Sequence, residues 1–195
     1  MKLREAIAQP QIDLKSIAAR LDASDPQERL AEIWGLGGAE QARLFEAAKG
    51  FAPLSLESFV PRGAPPMSGV PHEGRNSLLA FTRFAKVFYR PDDPAVAAKE
   101  LWGLNRNSWA VSTFVGPGYY VAYEKGEGEV LIDYLRVPPS APSRYPSILG
   151  NGERLARFVY NGTQDVLRGV SAHVSIGRAM RGGKDLDNWF VLCRN

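Results

Sequence analysis

Proline and glycine crowd the chain after residue 50, and that asymmetry constrains the fold more than any motif. Proline fixes φ and removes a donor, and glycine admits backbone conformations that other residues avoid. Together they punctuate strands and turns rather than long helices. With 19 Gly and 14 Pro in 195 residues, a helical bundle is a poor match for the later two thirds. The fold class expected is α+β: N-terminal helices followed by an antiparallel β-sheet or barrel.

Residues 1–50 read as short amphipathic helices. Ile12, Leu14, Ile17 and Leu21 recur at helical spacing after the break at Pro10. Ser24-Asp25-Pro26 is a start signal, since Ser24 or Asp25 can cap and Pro26 fits a first turn. The helix it opens carries Leu30, Ile33 and Trp34, and a further one runs from Ala39 to Ala48 before Gly50. Their apolar stripe serves either core packing or a protein partner. Residues 51–77 hold Pro53, Pro61, Pro65, Pro66 and Pro71, and read as a linker or a loop laid over the β domain.

The β domain is expected over 78–195. Residues 78–89 partly alternate and read as a strand or strand pair, with a helix as the alternative. Trp109–Val115 reads as a strand. Tyr119–Tyr123 and Glu129–Val137, joined by a Gly-containing polar loop, form a hairpin. Further strands are expected at Leu155–Tyr160, Val170–Ala179 and Trp189–Arg194.

Composition narrows the function classes. The 45% hydrophobic and 23% charged fractions are those of a globular chain, large enough to bury a core without disulfides or metals. The formal charge of +3 is mild, and the C-terminal cations alternate with acids, so no nucleic-acid groove is expected. Cys193 alone excludes an intramolecular disulfide and a multi-cysteine zinc site. His72 and His173 lie far apart in sequence, so no metal site is expected either, nor any cofactor. No segment approaches the ~20 apolar residues of a membrane span and the N-terminus has no apolar signal region, so the expected location is cytoplasmic.

Two groups of residues could carry chemistry. Strict alternation over Ser171–Gly177 puts Ser171, His173, Ser175 and Gly177 on one face, as surface or as cavity lining. Asp165 and Arg168 lie close by in sequence, and with His173 they could serve proton transfer: His173 as general acid/base, Asp165 orienting it, Arg168 holding anionic charge. The polar loop around His72 and Asn76 can supply binding groups. Aromatics including Tyr120, Tyr134 and Tyr160 could line a closed sheet that holds one small apolar ligand.

The segments Asp165-Val-Leu-Arg168, Ile176-Gly177-Arg178 and Trp189-Phe190-Val191-Leu192-Cys193-Arg194 resemble the closing strands of plastid-lipid-associated (fibrillin-type) and other lipocalin-like barrels. N-terminal helices ahead of such a barrel look similar as well. The likeness covers the final third of the chain and implies a lipocalin-like barrel with a lipid-like ligand. The leading expectation, which rests on the aromatic-rich antiparallel strands, the polar, small-residue face around His173 and a long loop able to cover an open end, is a binding protein for a small, largely apolar molecule. A cofactor-independent enzyme in the same cavity and an interaction module using the N-terminal helices are the alternatives.

Overall fold

The computed structural model describes residues 1–78, 82–106, 118–148 and 162–194. Four helices come first: α1 (Leu3–Ala8), α2 (Leu14–Ala23), α3 (Pro26–Trp34) and α4 (Gly38–Ala47). Local chemistry sets their starts. The Asp13 carboxylate accepts from Ser16 N and the Asp25 carboxylate from Gln27 N, each satisfying an N–H of the first turn that has no helical partner, and Pro26 occupies the first turn of α3.

A one-turn helix, α5 (Leu56–Phe59), leads into eight strands among the described residues: β1 (Val70–Asn76), β2 (Arg83–Tyr89), β3 (Leu101–Arg106), β4 (Tyr119–Gly126), β5 (Glu129–Asp133), β6 (Thr163–Gly169), β7 (Val174–Arg181) and β8 (Lys184–Arg194). A short helix, α6 (Pro94–Ala97), sits between β2 and β3. Each strand pairs antiparallel with its chain neighbour, and β1 pairs with β8 to close the barrel, with Gly74 opposite Leu192 and Asn76 opposite Phe190. The chain is thus α+β, helices followed by an antiparallel barrel.

Three expectations need correction. Residues 51–77 are not all linker or loop, for they contain α5 and β1. Pro71 is tolerated because it stands near the start of β1, one residue before the β8 ladder begins at His72. Val170–Ser171 does not begin a strand: the Ser171 hydroxyl accepts from the N–H of both His173 and Val174, turning the chain so that β7 starts at Val174. The last hairpin is tighter than expected, since Gly182 and Gly183 at φ 57° and 75° make a two-residue turn and β8 runs from Lys184. The strands expected at Trp109–Val115 and Leu155–Tyr160 lie outside the described residues.

Period two gives the barrel two faces with different partners. Outward side chains of β7 and β8 (Val174, Ile176, Val191, Cys193) join Ile7, Ile17, Leu21, Ile33 and Leu44 in one buried cluster. The helical stripe is therefore spent on the barrel wall, with α3 against β1 and β8 and α4 against β7 and β8. On another side Val87, Tyr89, Trp102 and Tyr119 lie beneath the chain around Met67, Val137 and Tyr145. Inward side chains form a third cluster, which Leu54, Leu56, Phe59 and Val60 enter from one end. That end is plugged by α5. Among the described residues, no helix is long and apolar enough to cross a membrane.

Candidate functional site: a lysine–aspartate pair in the barrel interior

An eight-stranded barrel has an interior just wide enough for side chains to fill or for one small ligand. Much of this interior is filled, and glycines make the filling fit. A Cβ at Gly103 would stand 2.4 Å from the Tyr120 ring, and one at Gly177 would stand 2.3 Å from the Phe190 ring. Phe59, Phe88 and the His72 imidazole stack together beside the plug, with centroid separations of 4.7–5.4 Å. His72 Nε2–H donates to the Phe59 carbonyl at 2.9 Å. Burial holds this imidazole neutral and lowers its pKa from 6.5 to about 4.

Further from the plug, the interior turns polar. Lys86 of β2 reaches across the lumen to Asp165 of β6, Nζ to Oδ2 at 3.1 Å. Both residues are buried, with side-chain exposures of 4% and 7%. Lys86 Nζ also donates to Asn105 Oδ1 at 3.1 Å and to the Tyr134 hydroxyl. Asn105 Nδ2 donates to that same hydroxyl at 2.9 Å. Three side chains, Asn105 of β3, Asp165 of β6 and Tyr134 just after β5, thus converge on one ammonium. Around it stand four rings, with Phe190, Tyr134, Tyr120 and Phe84 centred 4.7, 5.1, 5.5 and 5.6 Å from Nζ.

Electrostatics follow from this dry setting. Burial lowers the Lys86 pKa, with the Asp165 charge opposing; burial raises the Asp165 pKa, with the Lys86 charge opposing. Both displacements favour passing the proton from Nζ to Oδ2, which would replace two buried charges by two neutral groups. Such a pair seldom stabilises a fold better than apolar side chains of the same volume. Buried, paired and displaced from their ordinary values, these groups have the character of a functional site. Inward-facing Phe84 and Ala179, near the far ends of β2 and β7, are only half-buried, so the polar cluster lies toward the end opposite α5.

The residues singled out from the sequence are distributed unevenly. Asp165, Tyr120, Tyr134 and Ser175 face the interior, with the Tyr120 hydroxyl donating to the Val87 carbonyl at 3.1 Å. His72 is interior but locked against the plug. The Asn76 side-chain oxygen accepts from Leu78 N at 3.0 Å, at the strand's end. Ser171 serves the β6–β7 turn, and Tyr160 lies outside the described residues.

The catalytic trio is not brought together. Residues three apart in a strand point to opposite faces, so Asp165 faces in while Arg168 faces out, bonded to Glu129 at 2.7 Å and to the Phe45 carbonyl at 2.9 Å. His173 lies beyond Ser175, whose partner Gly169 is four residues along β6 from Asp165, a separation of about 13 Å at ~3.3 Å per residue. Its Nδ1 sits 3.2 Å from the Arg194 carbonyl instead. The residue that does meet Asp165 is Lys86. Its signal was the run Phe84-Ala-Lys86-Val-Phe88, where period two places a lysine between two aromatics on one face. Asn105 shares a face with Leu101 and Gly103 in the same way.

Among the described residues, no group of three or more His, Cys, Asp or Glu side chains could hold a metal ion. No protein-family model, no curated protein and no solved structure matches this chain.

Proposed function

We propose that the barrel binds a small, largely apolar molecule bearing one polar group, which engages Lys86, Asp165, Tyr134 and Asn105. The observation that carries this reading is the ion pair itself, sequestered among aromatic rings where an apolar core would serve folding better. The resemblance of the closing strands to lipocalin-like barrels supports an apolar ligand independently. The filled half of the interior beside α5 limits the occupant to a small molecule or to the end of a longer one.

Native mass spectrometry of freshly purified protein, followed by organic extraction, tests the reading. A stoichiometric apolar passenger is the expected result, together with its loss in the Lys86→Met variant. Failure of a panel of fatty acids, fatty alcohols and fatty aldehydes to bind the intact protein at millimolar concentration would overturn it.

A second reading has one observation in its favour. Lys86 Nζ and Asp165 Oδ2 lie 3.1 Å apart, and burial lowers the lysine pKa while raising that of the aspartate, so the two form an acid–base couple of the kind a cofactor-independent enzyme acting next to a carbonyl needs. Solvent-deuterium incorporation α to the carbonyl of an added methyl ketone, dependent on Lys86, is the signature to seek by NMR. Its absence across such ketones would remove this reading and leave the binding one intact.

A further inference from the structure

We infer that the ligands of this barrel include apolar aldehydes and that Lys86 Nζ holds them as an imine, an inference that rests on the binding reading above. Three features of the site carry it. Nζ is buried among four aromatic rings, the kind of dry surrounding in which an imine outlives hydrolysis. An acceptor for its proton, Asp165 Oδ2, is within 3.1 Å. The Tyr134 hydroxyl bonds Nζ and lies 3.4 Å from the same carboxylate oxygen, so it can relay a proton between nitrogen, oxygen and carboxyl.

The step balances within these groups. Transfer of a proton from Nζ to Asp165 leaves an amine with a free lone pair. That pair attacks the aldehyde carbon, the C=O π electrons move to oxygen, and a proton passes from nitrogen to that oxygen through the Tyr134 hydroxyl, giving a carbinolamine. Asp165 then returns its proton to the carbinolamine hydroxyl, which leaves as water while the nitrogen lone pair forms the C=N bond. The product is a protonated imine facing the Asp165 carboxylate, so the original charge pairing is restored without a net change. Asn105 Oδ1, now 3.1 Å from Nζ, retains a hydrogen bond to the iminium N–H or to the departing water.

The site also explains why one lysine would react ahead of others. A surface lysine with a pKa near 10.4 carries well under 0.1% neutral amine at pH 7, and each unit of lowering raises that fraction about tenfold. Lys86 is displaced in that direction by burial.

The test uses the intact protein, octanal, and sodium cyanoborohydride to reduce any imine to a stable secondary amine, with 1-octanol as the comparator that cannot condense. Peptide mass spectrometry reads the position of the adduct, whose mass is that of the aldehyde less one oxygen. Modification of Lys86 at least about tenfold ahead of the remaining lysines, abolished in Lys86→Arg and competed by octanol, supports the inference. Retention of both octanal and octanol by native mass spectrometry without any Lys86 adduct overturns the imine while leaving the binding reading standing. Retention of neither overturns both. Because the adduct is mapped on the unmodified sequence, the result does not depend on any variant folding.

Discussion

Replacing Lys86 by Met should expose how much the interior pair holds, and should do so with a defined pH dependence. At 3.1 Å and an effective dielectric constant near 20, the two charges attract by about 5 kcal/mol before desolvation is counted. In the variant, Asp165 keeps only the Tyr134 hydroxyl at 3.4 Å and must take up a proton to stay buried. For a carboxyl whose ordinary pKa is 3.8, protonation at pH 7 costs about 4 kcal/mol, at ~1.36 kcal/mol per pH unit. The folded-state pKa is raised, so the neutral group costs little below pH 4 and the penalty grows as pH rises. The expected deficit of Lys86→Met relative to the parent is therefore small at pH 4 and about 4 kcal/mol at pH 7. The double variant Lys86→Met/Asp165→Leu should recover most of the loss and show no such slope. Urea unfolding followed by tryptophan fluorescence at a series of pH values measures all three proteins. A pH-independent deficit, or a double variant no more stable than the sum of its parts, would refute the reasoning.

Other parts of the fold make equally definite demands. The His72 pKa is depressed from 6.5 to about 4, so the unfolded chain binds the extra proton between those values; stability is fully present above pH 6.5 and should fall by up to about 3 kcal/mol toward pH 4. His72→Phe should flatten that portion of the urea-derived profile. Gly103→Ala places a Cβ 2.4 Å from the Tyr120 ring and from the Val87 carbonyl, and should cost at least about 2 kcal/mol in thermal unfolding. Gly182→Ala, with φ +57° but open space around it, should cost only about 1 kcal/mol. Arg168→Met removes the bonds to Glu129 and the Phe45 carbonyl and the cation 3.9 Å over the Phe45 ring. A loss of about 2–4 kcal/mol is expected, with faster amide exchange in α4 than in the barrel strands.

The fold class was legible because helix caps and hairpins are local. Asp25-Pro26 and the Gly-rich β4–β5 loop each announce their element within a few residues, and both elements formed there. Strand β1 was hidden because Pro71, read locally, argues against a strand; its tolerance depends on where β8 joins, at Arg194 in register with His72, 122 residues away. The candidate site was half legible. Asp165 and Tyr134 were marked, but with the wrong partner, since proximity in sequence favoured Arg168 whereas strand parity sends that side chain to the opposite face. Finding Lys86 required knowing that β2 and β6 confront each other across a lumen, and only closure of the barrel establishes that.

That closure has a cost in time. Every ladder but one joins strands that are neighbours in sequence, and the exception, β1 with β8, lies beneath α3, which packs on both strands. During synthesis α4 is complete about 140 residues before β8 begins to appear. At ribosomal rates this is on the order of ten seconds, in which the apolar sides of α2, α3 and α4 lack the wall they are shaped to cover. The long-range pairing and the helical docking therefore fall late and together, and folding should resemble the clasping of a belt, with the open edges of β1 and of the growing sheet exposed to other nascent chains until it fastens.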